Sequence, residues 1–155
     1  MFYTNPNSIR EIQFPVRIVS MEGDMTNPEA LLKEKPIQIG LSEKDYFIVN
    51  GKGHIILDFG KEMCGGVRVL TFTTSGKCDV RIRFGESVSE TCAELGYKGA
   101  CNDHSTRDMV THLETLSSMC FGGSGFRFVR IDFLSDVIAN IKSIIADGAL
   151  YNGEQ

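Results

Sequence analysis

The chain has 155 residues, 42% of them hydrophobic and 23% charged, and carries a formal net charge of −4 at pH 7. That length suits a single domain able to bury roughly 70% of its unfolded surface, and that composition excludes disordered and fibrous chains. Lysine and arginine are scattered singly, leaving no basic stripe to neutralise phosphates, and the apolar runs are too short to span a bilayer; neither nucleic acid nor a membrane is expected as a partner.

The opening "MFYTNPNSIREIQF" has neither the basic start nor the apolar core of a secretory signal. Cys64, Cys78, Cys92, Cys101 and Cys120 make an odd number with no C-x-x-C pair, which fits the reduced thiols of a cytoplasmic protein. The first candidate strand is "IQFPVRIV" (12–19). "NPEALLKEK" follows as the best helix, with Asn27 as its N-cap and Pro28 in the first helical position. Next come "PIQIGL" (36–41), "DYFIV" (45–49), "HIILDF" (54–59) and "GVRVLTFTT" (66–74). "CDVRIRF" (78–84) alternates most cleanly, with Cys78, Val80, Ile82 and Phe84 on one face and Asp79, Arg81 and Arg83 on the other. "MVTHLET" (109–115), "FRFVRIDF" (126–133) and "NIKSIIA" (140–146) complete the series.

Glycine-bearing stretches, "NGKG", "GKEMCGG", "TSGK" and "FGGSG", separate these segments as turns. So many short alternating strands at this spacing predict an all-β fold with little helix: a two-sheet antiparallel β-sandwich, jelly-roll-like. Residues 1–35 read as a strand and short helix leading into the sandwich, 36–146 as its core and 147–155 as a linker-like tail.

Two stretches carry candidate chemistry. In "GESVSETCAE", Glu86 and Glu90 are two nearby carboxylates, the inventory of a glycosidase acid and base, but no neighbouring residue pattern would split their pKa values. Ser87 and Ser89 there read as caps of a helical turn. Around "CNDHSTRDMV" (101–110), residues 100–107 follow neither a helical nor a strand period, so they read as a loop or turn. Asn102, Asp103, His104, Arg107 and Asp108 supply the amide, carboxylate and guanidinium groups that read sugar hydroxyls, with Tyr97 or Phe121 as the nearest aromatic platform. The same residues can instead brace the backbone of a corner, through Asx-turns and an Arg107 ion pair, or hold an interface between domains. Cys92, Cys101, His104 and His112 lack the spacing of a zinc site, and Asp103 with Asp108 lacks the alternating acids of a calcium loop. A Cys–His dyad has no supporting signature, and His54 and His112 read as sheet residues. No catalytic residue, metal or cofactor is therefore assigned. In "LDFGKEMCGG", Asp58 and Phe59 end a strand, and Gly60, Gly65 and Gly66 permit a tight reversal or a bulge.

Taken together, "ILDFGKEMCGGVRV", "RIRFGESVSE", "NDHSTRD" and "GFRFVRID" resemble, in order and spacing, the non-catalytic β-sandwich domain that precedes the catalytic barrel in bacterial α-L-rhamnosidases. The resemblance runs from about Lys35 to Ala146. It implies an accessory domain whose partners are rhamnose-containing glycans and a helical-barrel catalytic domain, since the chain stops at "ADGALYNGEQ", where a linker to the barrel would begin. An independent carbohydrate-binding module and a small sandwich enzyme acting on glycans are the alternative readings.

Overall fold

Period-two alternation becomes strand nearly everywhere it occurs in the computed structural model, which describes residues 8–42, 44–94 and 107–151. The strands are β1 (Ser8–Gln13), β2 (Arg17–Thr26), β3 (Phe47–Thr74), β4 (Cys78–Gly85), β5 (Asp108–Leu113), β6 (Ser117–Phe133) and β7 (Ile138–Tyr151). A 3-10 turn at Pro28–Leu32 and the five-residue α1 (Val88–Cys92) are helical.

All pairings are antiparallel, and β3 and β6 each serve two layers. The first half of β3 lies between β2 and the second half of β6, which continues to β4 and then β5. The second half of β3 lies between the first half of β6 and β7, which continues to β1. The result is a two-sheet sandwich whose layers are joined by strands that pass from one to the other. Inward-facing residues of both layers form one core, where Phe126 meets Phe59 and Phe84 edge-on at ring-centroid distances of 5.9 and 5.1 Å.

Three of the four glycine stretches expected as turns lie inside strands: "NGKG" and "GKEMCGG" in β3, and "FGGSG" in β6. Only "TSGK" reverses the chain, between β3 and β4. The glycines serve as bulges, and the β3–β6 register slips between Asp58 and Met63 and again between Gly65 and Val67. A strand that bulges bends without losing its partner, which lets β3 run for 28 residues across both layers. Gly122 shows why the residue type matters. Its φ is +91°, and a β-carbon there would sit 2.5 Å from Cζ of the buried Phe84 ring. Gly122→Ala should therefore cost about 2–4 kcal/mol, read as a lower denaturation midpoint; an unchanged midpoint would refute the clash.

Asp58 anchors the bend. It is 2% exposed, and its carboxylate accepts from Gly60 N (2.7 Å), Arg127 Nε (2.9 Å) and Arg17 Nη2 (3.0 Å). The Arg127 hydrogen bond is the largest influence on its acidity. Burial opposes it, and the Gly60 amide and Arg17 reinforce it, so the pKa falls to about 2.

Other expectations are corrected. Pro15, which has no N–H, divides "IQFPVRIV" into β1 and β2. "PIQIGL" forms no strand: Pro36 lacks a ladder donor, and the Gln38 carbonyl accepts from the Lys142 ammonium. "NPEALLKEK" gives only the 3-10 turn. Asn27 is left-handed and makes no cap bond, because its side-chain amide donates to Asp45 Oδ1 (2.8 Å) and Tyr46 O (3.0 Å). Residues 147–151, read as the start of a tail, complete β7 and pair with β1.

Candidate functional site

The outward face of β4 carries Arg81 and Arg83, as its alternation dictates, and α1 follows directly after that strand. Ser87 caps α1 by accepting from Glu90 N at 3.1 Å, while the Glu90 carboxylate reaches back to Glu86 N at 3.2 Å. This is the reciprocal logic of a capping box. It commits Glu90, which is 4% exposed, to the backbone rather than to an acid–base pair with Glu86. Burial, followed by the nearby Glu86 charge, raises the pKa of Glu62 on β3.

The far end of α1 is closed by Arg107. Its side chain is fully buried at 0% exposure, and its guanidinium donates to the carbonyls of Glu90 (2.8 Å), Ala93 (3.0 Å) and Glu94 (3.2 Å). Helix C-termini leave carbonyls without intrahelical partners, and a planar fork of N–H donors suits a set of them. Arg83 assists from β4, donating to Cys92 O at 3.3 Å.

Beside this closure lies an ion network. Asp108 receives Arg81 in bidentate fashion (2.8 and 2.5 Å), and Glu94 receives the same guanidinium at 2.7 Å. Those bonds, Asp108 first, raise the Arg81 pKa, and Arg81 in turn holds Glu94 below the usual carboxylate range. Asp132 on β6 takes Arg83 (2.8 Å) and Arg130 (3.0 Å); burial pushes its pKa up, but the two arginines outweigh that and hold it low. Arg130 also donates to Cys92 Sγ at 3.5 Å. A pocket of about 320 Å³, lined by Ser89, Cys92, Ala93 and Glu94, opens at the edge of the network.

Of the residues singled out in the sequence, Asn102, Asp103 and His104 lie outside the described residues, as do Tyr97 and Cys101. Arg107 and Asp108 are brought together here, with Arg107 facing inward and Asp108 held by Arg81. Glu94 and Asp108 thus share one arginine, Arg81, on β4. Phe121 is not a platform; its ring belongs to the core. His54 and His112 are strand residues facing Glu22 and Glu114. Cys64, Cys78 and Cys92 are free thiols, and burial pushes that of Cys78 up to about 11. Among the described residues, no three His, Cys, Asp or Glu side chains converge as a metal site. Sequence reasoning missed Arg81, Arg83, Arg130 and Asp132 as a network, although the polar side of "CDVRIRF" already carried two of its members.

No protein-family model and no curated protein sequence matches the chain. Solved structures do. A rhamnosidase from Klebsiella oxytoca with rhamnose bound superposes with a TM-score of 0.63 over 93% of this chain, at 17% identity. A fucolectin from striped bass (Morone saxatilis) serum gives 0.56 over 92%, at 10% identity. The GH78 family rhamnosidase of Bacillus sp. GL1 gives 0.51 over 80%, at 14% identity. The chain shares their β-sandwich fold. It spans 30% of the Klebsiella enzyme, 46% of the fucolectin and 12% of the Bacillus enzyme.

Proposed function

We propose that this chain is the non-catalytic, carbohydrate-contacting β-sandwich of an α-L-rhamnosidase-type glycoside hydrolase, working beside a helical-barrel catalytic domain. The observation that carries the reading is the superposition of 93% of the chain on 30% of a rhamnosidase, together with motifs in the order seen in that family's sandwich domain. In this reading Arg107 and Asp108 have a bracing role, and Asn102, Asp103 and His104 supply the groups that recognise the sugar. The commitment of Glu90 to the backbone supports a non-catalytic role.

The likeness to the fucolectin favours a second reading, an independent lectin-like module, in which the same segment binds glycan without a barrel. One experiment addresses both. The purified chain, titrated with rhamnose-containing oligosaccharides and followed by NMR, should show saturable shifts that Asp103→Ala removes, and it should release no nitrophenol from an aryl α-L-rhamnoside. Silence toward the whole panel would overturn glycan contact. Turnover abolished by Glu86→Gln would overturn the non-catalytic role.

A further inference from the structure

The turn between β3 and β4 and the end of β5 form a pocket of about 380 Å³, within the size range of ligand sites. Thr74, Ser75 and Lys77 line one side of it, and His112, Leu113 and Glu114 the other. The β4–β5 register brings these two stretches together by pairing Cys78 with Leu113 and Asp79 with His112. Because β5 runs from Asp108 to Leu113, the pocket lies at the opposite end of that strand from Asp108, about 17 Å away at roughly 3.4 Å per residue.

Backbone bonds fix the walls before any ligand arrives. Thr74 N donates to Thr115 Oγ1 (3.1 Å), Ser75 N donates to Ile138 O (2.9 Å), and Ser75 Oγ accepts from Ile138 N (2.8 Å). Hydrogen-bonding capacity remains. A hydroxyl both donates and accepts, so Ser75, which accepts, keeps its own O–H to give. The Lys77 ammonium lies 3.9 Å from Asp79 Oδ1, beyond hydrogen-bond reach, which leaves its donors open among the described residues. His112 Nε2 lies 2.8 Å from Glu114 Oε1, and Glu114 Oε2 has no partner among the described residues. Leu113, buried at 3% exposure, supplies apolar surface. Lys77 and Glu114 cancel in charge and Asp79 adds a carboxylate, so no positive excess draws an acidic ligand.

We infer that this pocket takes a neutral sugar by a pair of adjacent hydroxyls, which donate to Glu114 Oε2 and accept from Lys77 and Ser75, with the ring against Leu113. An open carboxylate oxygen beside open N–H and O–H donors matches a diol, in which each oxygen both gives and receives. The inference rests on the glycan-contacting reading above and adds a second point of contact at the far end of β5.

The test uses the isotope-labelled chain with four probes: methyl α-L-rhamnoside, its tri-O-methyl ether, glucuronate and a neutral rhamnose oligosaccharide. The rhamnoside should shift the resonances of Ser75, Lys77 and His112 saturably, and should do so equally in Asp103→Ala. The ether, which has no hydroxyl to donate, should be silent, and glucuronate should bind more weakly. Glu114→Ala should weaken rhamnoside binding about tenfold while leaving the melting temperature unchanged, because its carboxylate is exposed and paired only at the surface. An equal response to the ether, glucuronate binding at least as tight as the rhamnoside, or indifference to Glu114→Ala would each overturn the proposal. Shifts confined to other residues and removed by Asp103→Ala overturn this pocket alone. Silence toward all four probes overturns it together with the glycan-contacting role.

Discussion

Asp58→Ala should lower the stability of the chain by about 2–4 kcal/mol, close to the upper end for a single substitution. The variant loses the acceptor of the Gly60 amide at the point where β3 bends between layers, and it leaves Arg17 and Arg127 without their shared carboxylate. Both arginines are partly exposed, with side chains at 59% and 42%, and recover some hydration, which keeps the loss below that of a fully buried pair. Asp58→Asn keeps the shape and one acceptor, so it should cost less. The same residue predicts a pH dependence. Its carboxyl titrates near 2 when folded and near 3.8 otherwise, so the folded chain binds the proton less readily. Its contribution, about 2 kcal/mol, is therefore complete above pH 4 or so and is lost as pH falls through 3.8 toward 2. Denaturant titrations between pH 2 and 6 check this. The wild type should lose more stability on acidification than Asp58→Asn, and parallel curves would show that the carboxylate is not a brace.

Asp58 also marks how far local pattern reaches. Strand faces were legible because alternation is a local property: Val80, Ile82 and Phe84 are buried and Arg81 faces outward, as "CDVRIRF" requires. The α1 cap was legible for the same reason, since Ser87 and Glu90 lie three residues apart. What glycine does was not. Gly60, Gly65 and Gly122 have positive φ, which suits a turn as well as a bulge. Only the partner strand's register decides between them, and β6 pairs with β3 from residues far away in the sequence. The 102–108 run was legible as polar. Whether each side chain faced the chain or a ligand depended on what lay beneath it, and at Arg107 that was the end of α1.

Arg107→Lys separates these possibilities most sharply, and it should cost about 2–3 kcal/mol. An arginine that serves only as a solvated charge or a sugar-facing cation tolerates lysine with little loss of stability. At Arg107 the guanidinium is enclosed, and its two terminal nitrogens reach three carbonyls, of which Glu90 O also accepts from the Ala93 amide. Lysine preserves the charge but offers a point donor on a different stem, so at least one carbonyl loses the bond that Arg107 gives it in an enclosed site. Arg107→Ala removes the donors altogether and should cost more, about 3–5 kcal/mol, corresponding to a melting temperature lower by roughly 10 °C for a domain of this size. Both losses should be independent of added L-rhamnose, because a buried guanidinium cannot reach a ligand. A lysine variant that melts with the wild type, or one whose stability returns when sugar is added, would show that Arg107 faces outward and belongs to the binding surface.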